Sequence, residues 1–432
     1  MNVLQMKANI TSGALDERLV HIYGEAAVAA QKERYLKAID EFAAIYGADR
    51  EIGLYSVAGR SELSGNHTDH NHGCVVAASI DLDIIAVASP REDSVIRIKS
   101  EGFPEDTVDY SVYNAPDKEK FGTSESIIAG MCAGFVKDGY AIGGFDAYTT
   151  SNVFKGSGLS SSAAFEDMVG NILSHMYNDG KVDNVEIAKM AQFSENVFFG
   201  KPCGLMDQVA CAAGGIVAID FADPKSPIID KLDFDISAQG YNLCIVNTGG
   251  NHADLNEDYA SVPGDMKKVA KLLGVEFLRE SSKEALLEKA VEIRETLGDK
   301  CLMRALHFFN ENIRVTKQKA ALAEGNLEGF LAGVRASGLS SFTMLQNVYT
   351  TKNVDEQGLS LALALTAEVL GEEKDAAWRV HGGGFAGTIQ AFVPKAKVAQ
   401  YKTELEKVFG EGNVYVLGVR KYGAVSLDAI NG

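Results

Sequence analysis

The sequence predicts an α+β fold in which two domains meet over a cleft, and three observations carry that prediction. At 432 residues the chain is long enough to build two hydrophobic cores. Short Val- and Ile-rich segments, the mark of strands, interleave with stretches whose apolar residues recur on one helical face. Two of only eight prolines fall within Ala222–Pro227, where one layer hands over to the next. The expected division is therefore an N-terminal domain of residues 1–221 and a C-terminal domain of residues 222–432, with the site between them.

Taken in order, Leu15 to Tyr46 reads as helix: Tyr35, Ile39, Phe42 and Ala43 form a stripe, and Gly47 is placed to end it. An apolar strand follows, Ile52 to Val57. Next comes a long polar loop, Ala58 to Gly73, held between that strand and two more, Cys74–Ala78 and Leu82–Ala88. Loops held by strands are where function concentrates. Ile142 to Val153 reads as strand and feeds a glycine-serine loop, Lys155 to Ala164. Behind it Phe165, Met168, Val169, Ile172, Leu173 and Met176 trace one face of a helix. Asn184 to Phe199 reads as a second helix, with Asn184 as N-cap and Gly200 as its stop. Asp207 then falls in a loop with glycine nearby, before the apolar run Val209–Phe221. Beyond the prolines lie a strand, Asn242–Asn247, and helices through Leu370. A second glycine run, His381–Gly387, precedes the strand Thr388–Val393.

The bulk numbers exclude several function classes. Apolar content of 46% and charged content of 23% are those of an ordinary globular protein. A net charge of -18 argues against nucleic acid or anionic membrane as a partner. The six cysteines show no C-x-x-C pair and read as reduced thiols. The first residues have no sustained apolar core, and no run of about 18 uncharged apolar residues occurs anywhere. The expectation is a cytoplasmic protein.

Lys155–Ala164 is the stretch with the most chemistry. Its glycines free the backbone, its serines supply hydroxyls, and it opens a helix whose unpaired N–H groups favour an anion, phosphate first of all. It is not a Walker A loop, because no Gly-Lys-Ser/Thr follows at the required spacing, and it lacks the G-x-G-x-x-G register. Two other runs mislead. His67, Asp69, His70 and His72 are dense but not spaced as zinc ligands usually are. His381–Gly384 looks like an esterase oxyanion loop, yet the chain has no G-x-S-x-G elbow. Phosphoryl transfer uses every unusual stretch: a phosphate cradle, a positive side chain (Arg60) and a carboxylate (Asp207) to orient the acceptor.

Together these motifs resemble the GHMP superfamily of sugar and isoprenoid kinases, most closely its galactokinase family. Arg60, Gly65, His67-Thr68-Asp69 and Asn71 echo the signature G-R-x-N-x-x-G-E-H-T-D-Y-N. Gly158–Ala163 matches the phosphate loop, Pro202–Gln208 the segment carrying the catalytic aspartate, and Gly382–Phe385 with Gly387 the third motif. The resemblance implies an ATP-dependent, Mg²⁺-requiring kinase acting on the anomeric C1 hydroxyl of galactose, with a small sugar and ATP as its only partners. It implies that Asp207 orients or deprotonates that hydroxyl beside Arg60. Gly156, Ser157, Gly158, Leu159, Ser160, Ser161 and Ser162 would cradle phosphate, and Ser162 with Glu195 would hold the metal. Asn66, His67, Asp69, Gly204 and Tyr259 would contact the sugar.

The chain departs from the signature at three positions: Glu62 stands where the family has Asn, Asn66 where it has Glu, and His70 where it has Tyr. His381 replaces Thr ahead of the triple glycine. The Glu position is expected near the sugar's C6 group, so Asn66 opens galacturonate as an alternative substrate. The rival from another class is a non-catalytic sugar sensor.

Overall fold

A computed structural model of the chain describes residues 1–153, 158–201, 203–250, 255–371 and 375–430. The chain enters through α1 (Val3–Ser12), α2 (Asp16–Tyr23) and α3 (Val28–Tyr46). The one helix expected from Leu15 to Tyr46 is thus broken, because Gly24 at φ +79° ends α2 in a conformation unfavourable to any residue with a Cβ.

The first sheet begins with β1 (Gly53–Ser64), β2 (Cys74–Pro90), β3 (Val95–Ser100), β4 (Glu105–Asp109), β5 (Phe145–Ser151), β6 (Ile216–Asp220) and β7 (Ile228–Leu232). The second, four-stranded sheet consists of β8 (Tyr241–Asn247), β9 (Ala377–Val380), β10 (Thr388–Pro394) and β11 (Val414–Leu417), in the order β11-β8-β10-β9 and antiparallel throughout. A last strand, β12 (Ala424–Ser426), returns to pair with β1 and makes the first sheet eight-stranded among the described residues, with the path β12-β1-β2-β5-β3-β4. The first part of β2 pairs with β6 and the last part with β5, so the sheet forks along one long strand. The boundary expected after residue 221 therefore falls between two paired strands, β6 and β7, and the C-terminal segment re-enters the first sheet.

Two other expectations shift here. β2 is a single strand of 17 residues where two were expected. β1 continues past Val57 to Ser64, with register irregularities between Ala58 and Arg60 and between Glu62 and Ser64. Arg60, Ser61, Glu62 and Ser64 look like loop residues in sequence, but they are buried strand residues whose polar partners come from distant elements.

Helices α4 (Ser124–Lys137), α5 (Ser161–Tyr177), α6 (Asn184–Phe193) and α7 (Met206–Ala213) cover one face of the first sheet, burying Ile128, Phe135, Met168, Ile172 and Val209 against Val57, Ala86 and Ile96. The entering helices cover part of the sheet with Leu19, Ile22, Tyr35, Ile39 and Phe42, packed on Leu54, Ile85 and Val87. The C-terminal half adds α8 (Asn256–Leu272), α9 (Lys283–Glu288), α10 (Ala290–Leu297), α11 (Asp299–Ala323), α12 (Leu327–Ser340), α13 (Gly358–Leu370) and α14 (Lys395–Phe409). Val315 and Leu322 of α11, with Phe330 and Leu331 of α12, sit in one core with Leu63 and Val76 of the first sheet and Leu243, Ile245 and Phe392 of the second. That shared core fixes the two sheets across the cleft. Among the described residues no helix is long and apolar enough to cross a membrane.

Candidate active site

The end expected to take phosphate is built where β1, the glycine-serine loop and α7 touch. Gly156 and Ser157 lie outside the described residues. Gly158 has φ +71°, and a Cβ there would stand 3.3 Å from His381 Nδ1 and 3.4 Å from Thr388 Oγ1. Leu159 is buried, and its carbonyl accepts from the Arg60 amide at 3.1 Å, which ties the loop to β1. Ser160, at φ +59° and ψ +53°, is left-handed at the start of α5 and makes no side-chain cap bond to the helix. Such a conformation is unfavourable for a residue with a Cβ. Here it turns the Ser160 hydroxyl onto Asp207, donating to Oδ2 at 2.6 Å.

Asp207 lies in the first turn of α7 rather than in the expected loop. Arg60 holds its Oδ1 with Nε and Nη2, both at 2.7 Å, and donates from Nη1 to the Gly158 carbonyl. The Arg60 side chain is 7% exposed and that of Asp207 35%, so the cation is inside and the carboxylate is partly open. Burial pushes the Asp207 carboxyl up, but Arg60's charge, its hydrogen bonds and that of Ser160 outweigh it, and the pKa falls below the ordinary value. The group is a fixed anion, suited to orienting a hydroxyl and accepting its proton late.

Ser161 and the exposed Ser162 open α5. Glu195 is not in a regular α-helix: α6 stops at Phe193 and Ser194–Phe199 form a π-turn, with Gly200 left-handed after it. The extra residue per turn redirects the Glu195 side chain. It accepts from Lys201 Nζ at 3.1 Å and from Gln208 Nε2 at 3.0 Å, and the same Gln208 nitrogen donates to Glu166 Oε2 at 3.1 Å. One amide thus serves two buried carboxylates, and the Gln208 oxygen has no partner among the described residues. Burial, with the nearby Glu195 charge, pushes Glu166 up to about 8. Such a surplus of oxygen donors suits a hard divalent cation such as Mg²⁺. Among the described residues no three His, Cys, Asp or Glu side chains form a metal cage, so an ion here would draw further ligands from phosphate and water.

The end where the signature's sugar contacts are expected is the tight turn from Gly65 to Gly73. The Thr68 hydroxyl lies 2.9 Å from the Gly65 carbonyl and 2.7 Å from the Cys74 carbonyl, pinning the turn. His67, at φ +58°, donates from Nε2 to the Gly383 carbonyl at 2.9 Å. Burial lowers its pKa to about 4, so it is neutral, with Nδ1 as its acceptor. Asp69 lies against Gly204, where any Cβ would collide with its Oδ2, and both line a cavity of about 170 Å³ with Gln192 and Cys203. Three residues on from Gly204, Asp207 is within about 11 Å along the chain. Tyr259 donates to the Gly384 carbonyl at 3.0 Å and packs edge-on to Phe385.

Asn66 is the residue expected near the sugar's C6 group. It is fully buried, and its carboxamide is saturated. Nδ2 donates to the Gly382 carbonyl at 2.7 Å and to Glu62 Oε1 at 3.2 Å, while Oδ1 accepts from Asn347 at 2.8 Å and Ser341 at 3.2 Å. Its placement depends on partners hundreds of residues away, which no local pattern reveals.

Other partners escaped the sequence reading. His381 is buried between Ser61 (3.1 Å) and Thr388 (3.0 Å), and burial, then Arg60 and Arg379, keep it neutral. From α11, His307 donates to the Asn66 carbonyl at 2.9 Å and Glu311 accepts from the Gly65 amide at 3.1 Å. Glu166 did leave a signal, since it and Asp167 are charges set among the apolar residues of Ala163–Ile172.

The two sheets, the phosphate loop on α5 and the carboxylate on α7 define a GHMP-type kinase, and the family description "GHMP kinases N terminal domain" matches residues 126–215. The description "Galactokinase galactose-binding signature" matches residues 40–90. The galactokinase of Streptomyces coelicolor is 31% identical over 376 residues, covering 86% of this chain and 92% of that protein. That of Streptococcus mutans is 29% identical, with 86% and 92% covered. The crystal structure of Lactococcus lactis galactokinase complexed with galactose superposes with a TM-score of 0.75 at 25% identity, over 90% of this chain and 99% of that one. A mevalonate kinase shares the fold at a TM-score of 0.58 and 14% identity, with 85% and 99% covered. The chain belongs to the galactokinase family.

Proposed function

We propose that this protein is a galactokinase that transfers the γ-phosphoryl group of ATP to the C1 hydroxyl of galactose. The observation that carries the reading is the Asp207 carboxylate, partly open and fixed by Arg60 and Ser160 beside the phosphate loop. Asp207 accepts a hydrogen bond from the C1 hydroxyl, aims its oxygen at the γ-phosphorus and takes the proton as the new P–O bond forms and the bond from the γ-phosphorus to the bridging oxygen breaks, releasing ADP. A carboxylate held below its ordinary pKa does not strip the proton early, and a loose phosphoryl-transfer transition state does not need it to.

In this reading Gly156–Ser162, with the first turn of α5, cradle the phosphates through backbone N–H groups and hydroxyls. Ser162 and Glu195, with Glu166 beside Glu195, would hold Mg²⁺, which would supply neutralisation of charge on the phosphate oxygens. His67, Asp69, Gly204 and Tyr259 form the sugar subsite. Asp69 against Gly204 supports it, since they share a cavity wall three residues from Asp207. The galacturonate alternative depends on Asn66 facing C6, and with its carboxamide engaged inside the wall nothing favours that sugar. The test is a kinase panel of galactose, galacturonate, N-acetylgalactosamine, glucose and arabinose with ATP and Mg²⁺. Turnover highest on galactose supports the proposal; sugar binding without ATP turnover on any member leaves a sugar sensor instead.

A further inference from the structure

Glu195 divides its two oxygens between an amide and an ammonium. Its Oε2 is taken by Gln208 Nε2 at 3.0 Å, a buried amide that also serves Glu166. The oxygen left for a cation is therefore Oε1, and it already holds one: Lys201 Nζ stands 3.1 Å from it. Lys201 lies just ahead of the matched segment Pro202–Gln208, outside the family motifs.

The two partners differ in how firmly they are held. The Glu195 side chain is 5% exposed and fixed by the π-turn and Gln208, whereas that of Lys201 is 65% exposed. Among the described residues the Lys201 ammonium has no second hydrogen-bond partner, so it can leave Glu195 without breaking another bond. Its charge also reaches past Glu195. The Asp207 carboxyl is raised by burial and lowered by Arg60, by Ser160 and, last, by Lys201. Glu166 is raised by burial and Glu195 and lowered by Gln208 and Lys201. One flexible cation thus stands among the Glu195, Glu166 and Asp207 carboxylates.

A divalent ion on the same oxygen would lie at most about 5 Å from that ammonium, two like charges on one point of attachment. A bound phosphate would offer the ammonium other anionic oxygens, and the long stem of lysine lets it follow them. We propose that Lys201 is a resident counter-ion of Glu195, which competes with a divalent cation for Oε1 and passes to the nucleotide's phosphates when the metal–nucleotide complex binds. The proposal rests on the galactokinase reading; its test is made by binding, and so is separate from whether galactose is phosphorylated.

Full-length wild type, Lys201→Met and Lys201→Arg are titrated with Mn²⁺ in the absence of nucleotide, the free ion being read by electron paramagnetic resonance. Lys201→Met should bind Mn²⁺ at least about threefold more tightly than wild type, and Lys201→Arg, which keeps the charge, should stay within about 1.5-fold. The gain should act through Glu195: on a Glu195→Gln background, Lys201→Met should change Mn²⁺ affinity by less than about 1.5-fold. Calorimetry with ATP at saturating Mg²⁺ follows the second half of the proposal. There Lys201→Met should raise the ATP Kd about fivefold and Lys201→Arg less than twofold. Mn²⁺ affinity unchanged or weaker in Lys201→Met, no measurable Mn²⁺ binding in any variant, or an equal gain on both backgrounds would overturn the proposal. So would an ATP Kd that Lys201→Met leaves where it was. The expected binding results would support the counter-ion even if wild type phosphorylated no galactose.

Discussion

The two ends of the cleft are held in different ways. At the end proposed to take phosphate the functional groups lie within a few residues of glycine turns and helix starts, and Arg60 and Ser160 both bond Asp207 directly. At the end proposed to take the sugar, the turn from Gly65 to Gly73 is bonded by His307, Glu311, Asn347, Gly382 and Gly383, all from the C-terminal half. A phosphate is bound largely by backbone, so its cradle follows local sequence. A sugar is read by side chains whose angles must be set by something else. The phosphate end should therefore yield large losses in kcat from single changes, and the sugar end losses that depend on pairs.

The largest effect is expected from Asp207→Asn, which keeps the shape and removes the charge. Its kcat should fall on the order of 10³-fold or more, with galactose affinity within about threefold. Comparable losses in affinity and kcat would move Asp207 from the chemistry to the binding of the sugar. Ser162→Ala and Glu195→Gln come next. Each should raise the Mg²⁺ concentration needed for half-maximal rate about tenfold and leave galactose KM unchanged. An unaltered Mg²⁺ titration in both would place the ion elsewhere.

How much of this contrast was legible follows the same line. The Gly158–Ala163 loop and the helix after it were plain, because glycine, hydroxyls and a 3.6-residue stripe are local signals. Asp207 was found as a residue but placed in a loop, where it opens α7. Glu195 was assigned to a continuous helix, and no local pattern marks the π-turn that aims it. Arg60 was expected in a polar loop because its neighbours are polar, but β1 runs on through Ser64 and buries them against partners far along the chain. Asn66 was expected at the ligand because it stands at the signature's Glu position, and motif position does not reveal that its carboxamide is taken up by Gly382, Asn347 and Ser341.

A smaller loss, about tenfold in kcat, is expected from Ser160→Gly. Glycine suits the left-handed backbone there, so only the hydroxyl on Asp207 is removed. A loss of fold instead of rate would mean that Ser160 serves the loop and not the carboxylate.

The smallest effect concerns stability. Glu166 titrates at about 8 in the folded protein against about 4.5 unfolded, so the folded state holds the extra proton between those values. Its contribution to stability is present below the unfolded pKa and is lost as pH rises toward 8. Glu166→Gln removes that loss. Its melting midpoint relative to wild type should be near zero at pH 5 and should rise steadily to pH 8.5. A pH-independent offset would show that Glu166 is not protonated in its buried site.

The most direct measurement of the central claim is the identity of the product. Purified protein incubated with ATP, Mg²⁺ and galactose should give, by ³¹P NMR, one sugar phosphate esterified at C1 and an equal amount of ADP. The product should vanish with Asp207→Asn while galactose still binds. Phosphate on another hydroxyl, or galactose bound with no ADP formed, would contradict the account.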